Sequence, residues 1–247
     1  SRDMLTRAAY IITGTPTGQE EISFFYSIPK DRIKVLPLPT PGYCLENSQK
    51  KTRDYLDKSG ISGDYLLYPA QFWSHKNHVS AILALEILHK EYNLPLSLVF
   101  VGSDSGNLSY VKKVASDQSC SEYIHFPGFV SQENLIALYQ NASALVFPTF
   151  FGPDNLPPLE AFALGCPVIA SRVSGAEEQL GDAALLVDPK NPAEIAWAVN
   201  RIINDPSLRK TLIEKGCARA QRWTGKDYMR EIFSVLNEFE AIRKCWE

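Results

Sequence analysis

Between residues 65 and 204, short apolar runs alternate with longer segments of helical spacing, and this alternation leaves the chain very few folds. The runs are Tyr65–Tyr68, Leu96–Gly102, Tyr123–Phe126, Ala144–Pro148, the stretch beginning at Val168, and Ala184–Val187. Between and after them come Asn77–Tyr92, Leu108–Asp117, a segment capped by Ser131 with Leu135, Leu138, Tyr139 and Ala142 on one face, and Pro192–Asn204. Strands joined through helices run parallel, and a parallel sheet is covered on both faces. The expected fold class is α/β, with a doubly wound, mostly parallel, Rossmann-like sheet. Ligands bind such sheets at the carboxyl ends of the strands, where the strand order reverses. The loops after Tyr68, Val101, Phe126 and Pro148 are therefore the ones to search.

The chain begins with helical character over 1–9, a short strand at Tyr10–Thr13, a loop at Gly14–Gly18, a helix at Gln19–Ser27 and a strand at Ile33–Leu36, ended by Pro37, Pro39 and Pro41. The polar stretch 46–60 reads as a linker with weak helical character. C-terminal helices fill 207–247, as Ser207–Arg222 and Lys226–Cys245 with Trp223 between them. One Rossmann-like domain is expected over 1–247. The alternation opens without a first strand and Gly-rich turn, so a preceding segment is expected.

The loop after Pro148 is the most informative. Gly152, Pro153, Asp154 and Asn155 form turns, and Pro157-Pro158 fits only the first turn of a helix, where a missing N–H costs nothing. Gly165 and Pro167 end that helix. The backbone from Asn155 through Leu156 to Leu159 therefore lies at a helix N-terminus, whose unpaired N–H groups and dipole favour an anion. Glu160, one turn in, suits sugar hydroxyls; the alternative is a carboxylate that complements the helix dipole.

Lys76 stands just before the helix that starts near Asn77, an unusual place for a cation unless an anion binds between them. Gln71 and His75 add neutral donors. The alternative is a solvated lysine beside Phe72 and Trp73. Gly102-Ser-Asp-Ser-Gly-Asn107 has the composition of a phosphate loop, and Phe129 and Val130 offer an aromatic ring and backbone groups to a base; an ordinary β–α turn explains the latter equally. Gly175-Ala-Glu-Glu-Gln179 is a further candidate, since Glu177 and Glu178 follow the strand that ends at Ser171; the alternative, which the residues favour, is the first turn of a short helix.

A formal net charge of -3 gives no basic surface, and nucleic acid is not an expected partner. No apolar run approaches the ~20 residues of a membrane span, and the first residues lack the apolar core of a signal peptide. The five cysteines, Cys44, Cys120, Cys166, Cys217 and Cys245, have no metal-ligand spacing, and an odd count argues against a disulfide framework. No metal site is expected, and the compartment suggested is the reducing cytoplasm.

Three loops together resemble one family. Tyr68-Pro-Ala-Gln-Phe-Trp-Ser-His-Lys-Asn77, His125-Phe-Pro-Gly-Phe-Val130 and Phe151-Gly-Pro-Asp-Asn-Leu-Pro-Pro-Leu-Glu-Ala-Phe162, followed by Gly165–Ala170, are similar to the C-terminal half of a GT-B glycosyltransferase of family 4 (group 1, retaining). The resemblance implies a donor-binding domain for a nucleotide-diphosphate sugar, a GDP- or UDP-sugar, as substrate and no cofactor. It implies that Lys76 meets the diphosphate, that Glu160 is the second Glu of the family's Glu-x7-Glu motif and binds ribose, that Val130 holds the base, and that Asn155 and Leu156 meet phosphates or sugar. Gly152 stands where the first motif Glu belongs, so either Asp154 or Asn155 takes over its work or the loop is rearranged; Gln71 stands where many relatives have Arg. Lys76, Asp154 and Glu160 are thus the candidate catalytic residues, and Gln71, Lys76, Gly102, Phe129, Val130, Asn155, Leu156 and Glu160 the candidate binding residues.

The implied activity is hexosyl transfer to a hydroxyl acceptor, a glycan or lipid-linked sugar, in polysaccharide synthesis. The family's acceptor-binding N-terminal domain, through which peripheral membrane contact would come, is not in this sequence. Two alternatives remain: a donor-binding module inactive without that domain, and a GT-B sugar-nucleotide epimerase.

Overall fold

The computed structural model describes residues 2–48, 54–152 and 154–245. Its first layer comprises α1 (Arg2–Arg7), β1 (Ile11–Thr13), α2 (Pro16–Tyr26) and β2 (Ile33–Val35). β1 and β2 pair in parallel as a sheet of their own over a small cluster of Ile11, Ile28 and Ile33. α2 starts three residues before the expected Gln19. Thr15 caps it, its hydroxyl accepting from Gly18 N at 3.0 Å, and Pro16 supplies the preset φ of a first helical residue. The letters Gly-Thr-Pro-Thr-Gly look like a loop because helix caps are built from turn formers.

α3 (Gly42–Glu46) and α4 (Asp54–Ser59) lead into the main sheet. Of the stretch read as a linker, 49–53 lie outside the described residues, while Leu56 is buried in the main core. The alternation then runs β3 (Tyr65–Pro69), α5 (His78–Glu91), β4 (Ser97–Val101), α6 (Leu108–Ser116), β5 (Ile124–Gly128), α7 (Gln132–Asn141), β6 (Ala144–Phe147), α8 (Leu156–Ala163), β7 (Val168–Ser171), α9 (Ala176–Leu180), β8 (Ala184–Val187) and α10 (Pro192–Asn204). α11 (Pro206–Ala220) and α12 (Gly225–Lys244) close the chain.

All six main strands are parallel, in the order β5-β4-β3-β6-β7-β8. The winding starts at the centre, runs outward to β5, then crosses back through α7 to β6 and runs outward to β8. This is the doubly wound arrangement expected from the alternation, and it places the reversal of strand order between β3 and β6. α5 packs against α10 and α6 on one face, α8 against α11 and α7 on the other. Residues of β3, β4 and β6 are buried throughout, as strands covered on both faces must be. Pro127, expected to follow a strand, lies inside β5, an edge strand where a missing N–H is tolerated.

The first layer is tied to the main body. Thr40 N donates to Trp223 O at 3.1 Å, Trp223 Nε1 to Pro37 O at 2.8 Å, and Lys34 pairs with Glu238 at 2.6 Å. Among the described residues no helix is long and apolar enough to cross a membrane.

Candidate functional site

β3 and β6 lie side by side, so the loops that follow them meet. After β3 the chain makes a short 3-10 turn, Ser74–Lys76, and Asn77 adopts a left-handed conformation (φ 56°) as the cap of α5. The Asn77 side chain is buried and fully used. Its Nδ2 donates to Pro148 O and Pro189 O, both at 2.8 Å, and its Oδ1 accepts from Ser80 Oγ at 2.9 Å. From the other loop, Phe150 N (2.9 Å) and Thr149 Oγ1 (3.1 Å) both donate to His75 O. The two loops are thereby cross-linked on either side of Lys76.

The Lys76 ammonium donates to Asn155 Oδ1 at 3.1 Å, across 79 residues of sequence, and lies 5.0 Å from the centroid of the Phe147 ring. Asn155 is the N-cap residue of α8, with Leu156, Pro157 and Pro158 as its first three helical residues. Lys76 is half-buried, and burial holds its pKa below that of an ordinary lysine. Among the described residues no carboxylate pairs with it. A partly desolvated cation and the positive end of α8 therefore converge, an arrangement that repels itself until an anion enters.

The remaining loop atoms are ordered by side-chain contacts. Asn155 Nδ2 donates to Gly152 O, and the Asn155 N–H, expected to face a ligand, donates instead to Gln179 Oε1 at 3.1 Å. The Leu156 N–H, at the first helical position, is left without an intrahelical acceptor. Pro153 lies outside the described residues. Asp154 does not share the lysine: its Oδ1 accepts from Gln179 Nε2 at 2.9 Å, and burial raises its pKa. Its other oxygen presses on the β1–α2 turn so closely that a Cβ on Gly14 would lie 1.6 Å from it. Asp154 and Gln179 line a cavity of about 320 Å³ with Thr15, Thr40, Arg222 and Trp223.

Glu160 lies beyond the first turn of α8, so it does not complement the helix dipole there. It is 8% exposed, and its two oxygens accept from the hydroxyls of Tyr43 and, at 2.7 Å, Tyr139. Burial, with the hydrogen bond to Glu160, raises the Tyr43 pKa, and burial raises that of Tyr139, so both remain donors at neutral pH.

Gly102, a candidate phosphate contact, has a structural use. Its N–H donates to Gly128 O at 3.0 Å, and a Cβ there would stand 2.2 Å from Ala70 O. The glycine is required by the close approach of two backbones. Asp104 turns its Oδ1 inward, accepting from Gly106 N at 2.8 Å and Leu108 N at 3.2 Å. Gln71 gives its side-chain oxygen to Trp73 Nε1 at 2.9 Å, leaving its amide donors. Phe129 is 82% exposed, Val130 packs on the main core, and among the described residues neither amide has a hydrogen-bond partner.

Asn77, Gln179 and Tyr43 stand out only in the structure. Asn77 had a signal in the sequence, an Asn immediately before a helix, but the carbonyls it reaches are remote. Gln179 and Tyr43 had none. Among the described residues no group of side chains is arranged to hold a metal ion.

A doubly wound parallel sheet whose strand order reverses between β3 and β6 defines a Rossmann-like α/β protein. The sequence model described as Glycosyl transferases group 1 matches residues 53–219, and the chain belongs to that family. It is 26% identical over 223 residues to O-antigen chain mannosyltransferase B of Escherichia coli, covering 90% of this chain and 58% of that protein. It is 28% identical to the D-inositol 3-phosphate glycosyltransferase of Acidothermus cellulolyticus, covering 98% of this chain and 56% of that one. The chain thus spans little more than half the length of these relatives. Among solved structures it resembles a glycosyltransferase from Rickettsia africae (TM-score 0.83, 17% identity, 96% of this chain and 65% of that one). It also resembles Anabaena Alr3699/HepE in complex with UDP-glucose (TM-score 0.81, 18% identity, 96% of this chain and 66% of that one).

Proposed function

We propose that this chain is the donor-binding part of a retaining GT-B glycosyltransferase, holding a nucleotide-diphosphate sugar for hexosyl transfer to a hydroxyl acceptor. The observation that carries this is the Lys76 ammonium, half-buried, without an acidic partner among the described residues, and bonded to the side chain of the residue that opens α8. As the bond to the sugar breaks, negative charge grows on the departing diphosphate. Lys76 and the amide at Leu156 stabilise that charge more in the transition state than in the ground state. Glu160, fixed by two tyrosine hydroxyls, keeps lone pairs for the ribose hydroxyls. The cavity beside Asp154 has room for a sugar ring, and Phe129 and Val130 take the base. The HepE complex with UDP-glucose supports a sugar nucleotide as donor, and the O-antigen relative supports a role in polysaccharide assembly, which we place on the cytoplasmic side.

A second reading, a module that binds the donor but needs further polypeptide for turnover, is favoured by the coverage of only 58% and 56% of the curated relatives. Calorimetry with UDP-, GDP- and ADP-sugars tests the binding site. One of them is expected to bind, and Lys76→Ala or Glu160→Ala to abolish that binding; unchanged affinity in both variants refutes the assignment. Transfer by the chain alone would refute the second reading.

A further inference from the structure

Gln179, on α9, belongs to none of the three motif loops, yet its carboxamide grips the main one. Oε1 accepts from Asn155 N at 3.1 Å, and Nε2 donates both to Asn155 O and to Asp154 Oδ1 at 2.9 Å. By pairing with the N–H and C=O of one residue, the carboxamide does for Asn155 what a neighbouring strand would do. Two consequences follow. The Asn155 backbone is held extended (φ -131°, ψ 136°), the geometry from which its side chain meets Lys76. The Asn155 amide is also consumed, so the first N–H offered by the helix is that of Leu156.

α9 is itself anchored from two sides. Arg219 of α11 donates through Nε to Gln179 O at 2.6 Å and through Nη2 to Glu178 O. The Glu178 carboxylate accepts from Thr17 Oγ1 at 2.7 Å and Thr17 N at 3.3 Å, in the first turn of α2. An unbroken series of hydrogen bonds thus runs from the first layer through α9 to Asn155 and Lys76.

We infer that Gln179 is a positioning residue for the anion site: it presets the Asp154–Asn155 backbone so that Lys76 and the start of α8 meet one diphosphate, and through Glu178 it ties that geometry to the β1–α2 turn. The inference deepens the donor-site reading above and rests on it. A residue that merely stabilised the fold would affect every ligand of the site alike. A residue that positions the phosphate half acts on the diphosphate alone.

The test titrates the full chain with UDP, GDP and ADP and with uridine, guanosine and adenosine, for wild type, Gln179→Ala and Gln179→Glu. Gln179→Glu keeps the acceptor but turns a carboxylate oxygen toward Asp154 and Asn155 O. Both variants are expected to weaken the best nucleoside diphosphate by about 10- to 100-fold, the scale of a small misplacement of a binding group, while the matching nucleoside, measured by competition, changes less than about twofold. Should the alanine variant fail to fold, the glutamate variant and Gln179→Asn carry the same ratio. Wild type that binds no nucleoside diphosphate overturns the donor-site reading itself. Binding in which the variants keep the wild-type ratio of diphosphate to nucleoside overturns the role of Gln179 alone.

Discussion

The turns after β3 and β4 leave neighbouring strands at the same edge of the sheet, and each has a feature suited to an anion, a lysine in the first and small polar residues in the second. They are used in opposite ways. After β4, the Gly102 amide is spent on Gly128, and the Asp104 carboxylate is spent on the start of α6. Every conspicuous group closes the turn on itself. After β3, Asn77 does the closing, reaching three partners with a buried side chain, and among the described residues Lys76 is left with a single neutral acceptor. The lesson is that composition identifies polar loops, but a site is a loop whose charge the fold has left unsatisfied.

The largest test of this contrast compares Lys76→Ala with Asp104→Ala. On the proposed function, removing the lysine is expected to cost transition-state stabilisation of about 10²- to 10³-fold in sugar transfer, and donor binding by this chain with it. Asp104→Ala should leave donor affinity unchanged. Equal losses in the two variants, measured by calorimetry, would erase the distinction between the loops.

The next test uses pH. His78, the first residue of α5, is 0% exposed, stacked 4.7 Å from Tyr68 and 4.5 Å from Phe72, and among the described residues neither ring nitrogen has a hydrogen-bond partner. Burial pushes its pKa down to about 4 from the ordinary 6.5. Between these values the unfolded chain binds a proton that the folded chain refuses, so stability is full above pH ~6.5 and falls as the pH drops toward ~4. At about 1.4 kcal/mol per pKa unit, the loss is on the order of 3 kcal/mol. Urea titrations from pH 7 to pH 4.5 should show this slope in wild type and a flatter one in His78→Phe. Some slope remains in that variant, because burial also lowers His125. An unchanged slope would mean that the aromatic base beneath the β3 loop is open to solvent.

Gly102→Ala comes third. Its Cβ would meet the Ala70 carbonyl oxygen at 2.2 Å, so backbone must shift, and a cost of about 1–3 kcal/mol in stability is expected, as for other overpacked sites. Chemical denaturation reads it directly, and a neutral substitution would return Gly102 to the list of candidate phosphate contacts. The smallest effect is the stability loss in Asp104→Ala, about 1 kcal/mol for a lost helix-start acceptor, measured in the same titrations. Its size against that of Lys76→Ala, which removes an unfavourable cation and should stabilise the unliganded fold, sharpens the contrast: one loop serves folding, the other binding.

How much of this was legible beforehand differs by residue. Pro157-Pro158 marks the start of α8 because the constraint is local: proline lacks an N–H and presets φ. Lys76 stood out for an equally local reason, a cation at the wrong end of a helix. Gly102 is ambiguous in the sequence, since a glycine needed for close approach to Ala70 has the same letter as one needed for phosphate. Glu160 was singled out by its place near a helix start, but its burial between Tyr43 and Tyr139 joins residues separated by 117 and 21 positions.

By itself the sequence determined the alternation, the parallel sheet it requires, the helix start at Asn155 and the out-of-place lysine, because periodicity, caps and proline act within a few residues. Tertiary structure alone decided that β3 and β6 are neighbours, that Lys76 meets Asn155 across 79 residues, and that the Asn155 amide meets Gln179. Strand order is set by how helices pack across both faces of the whole sheet, and a site at a switch point exists only once that packing is complete.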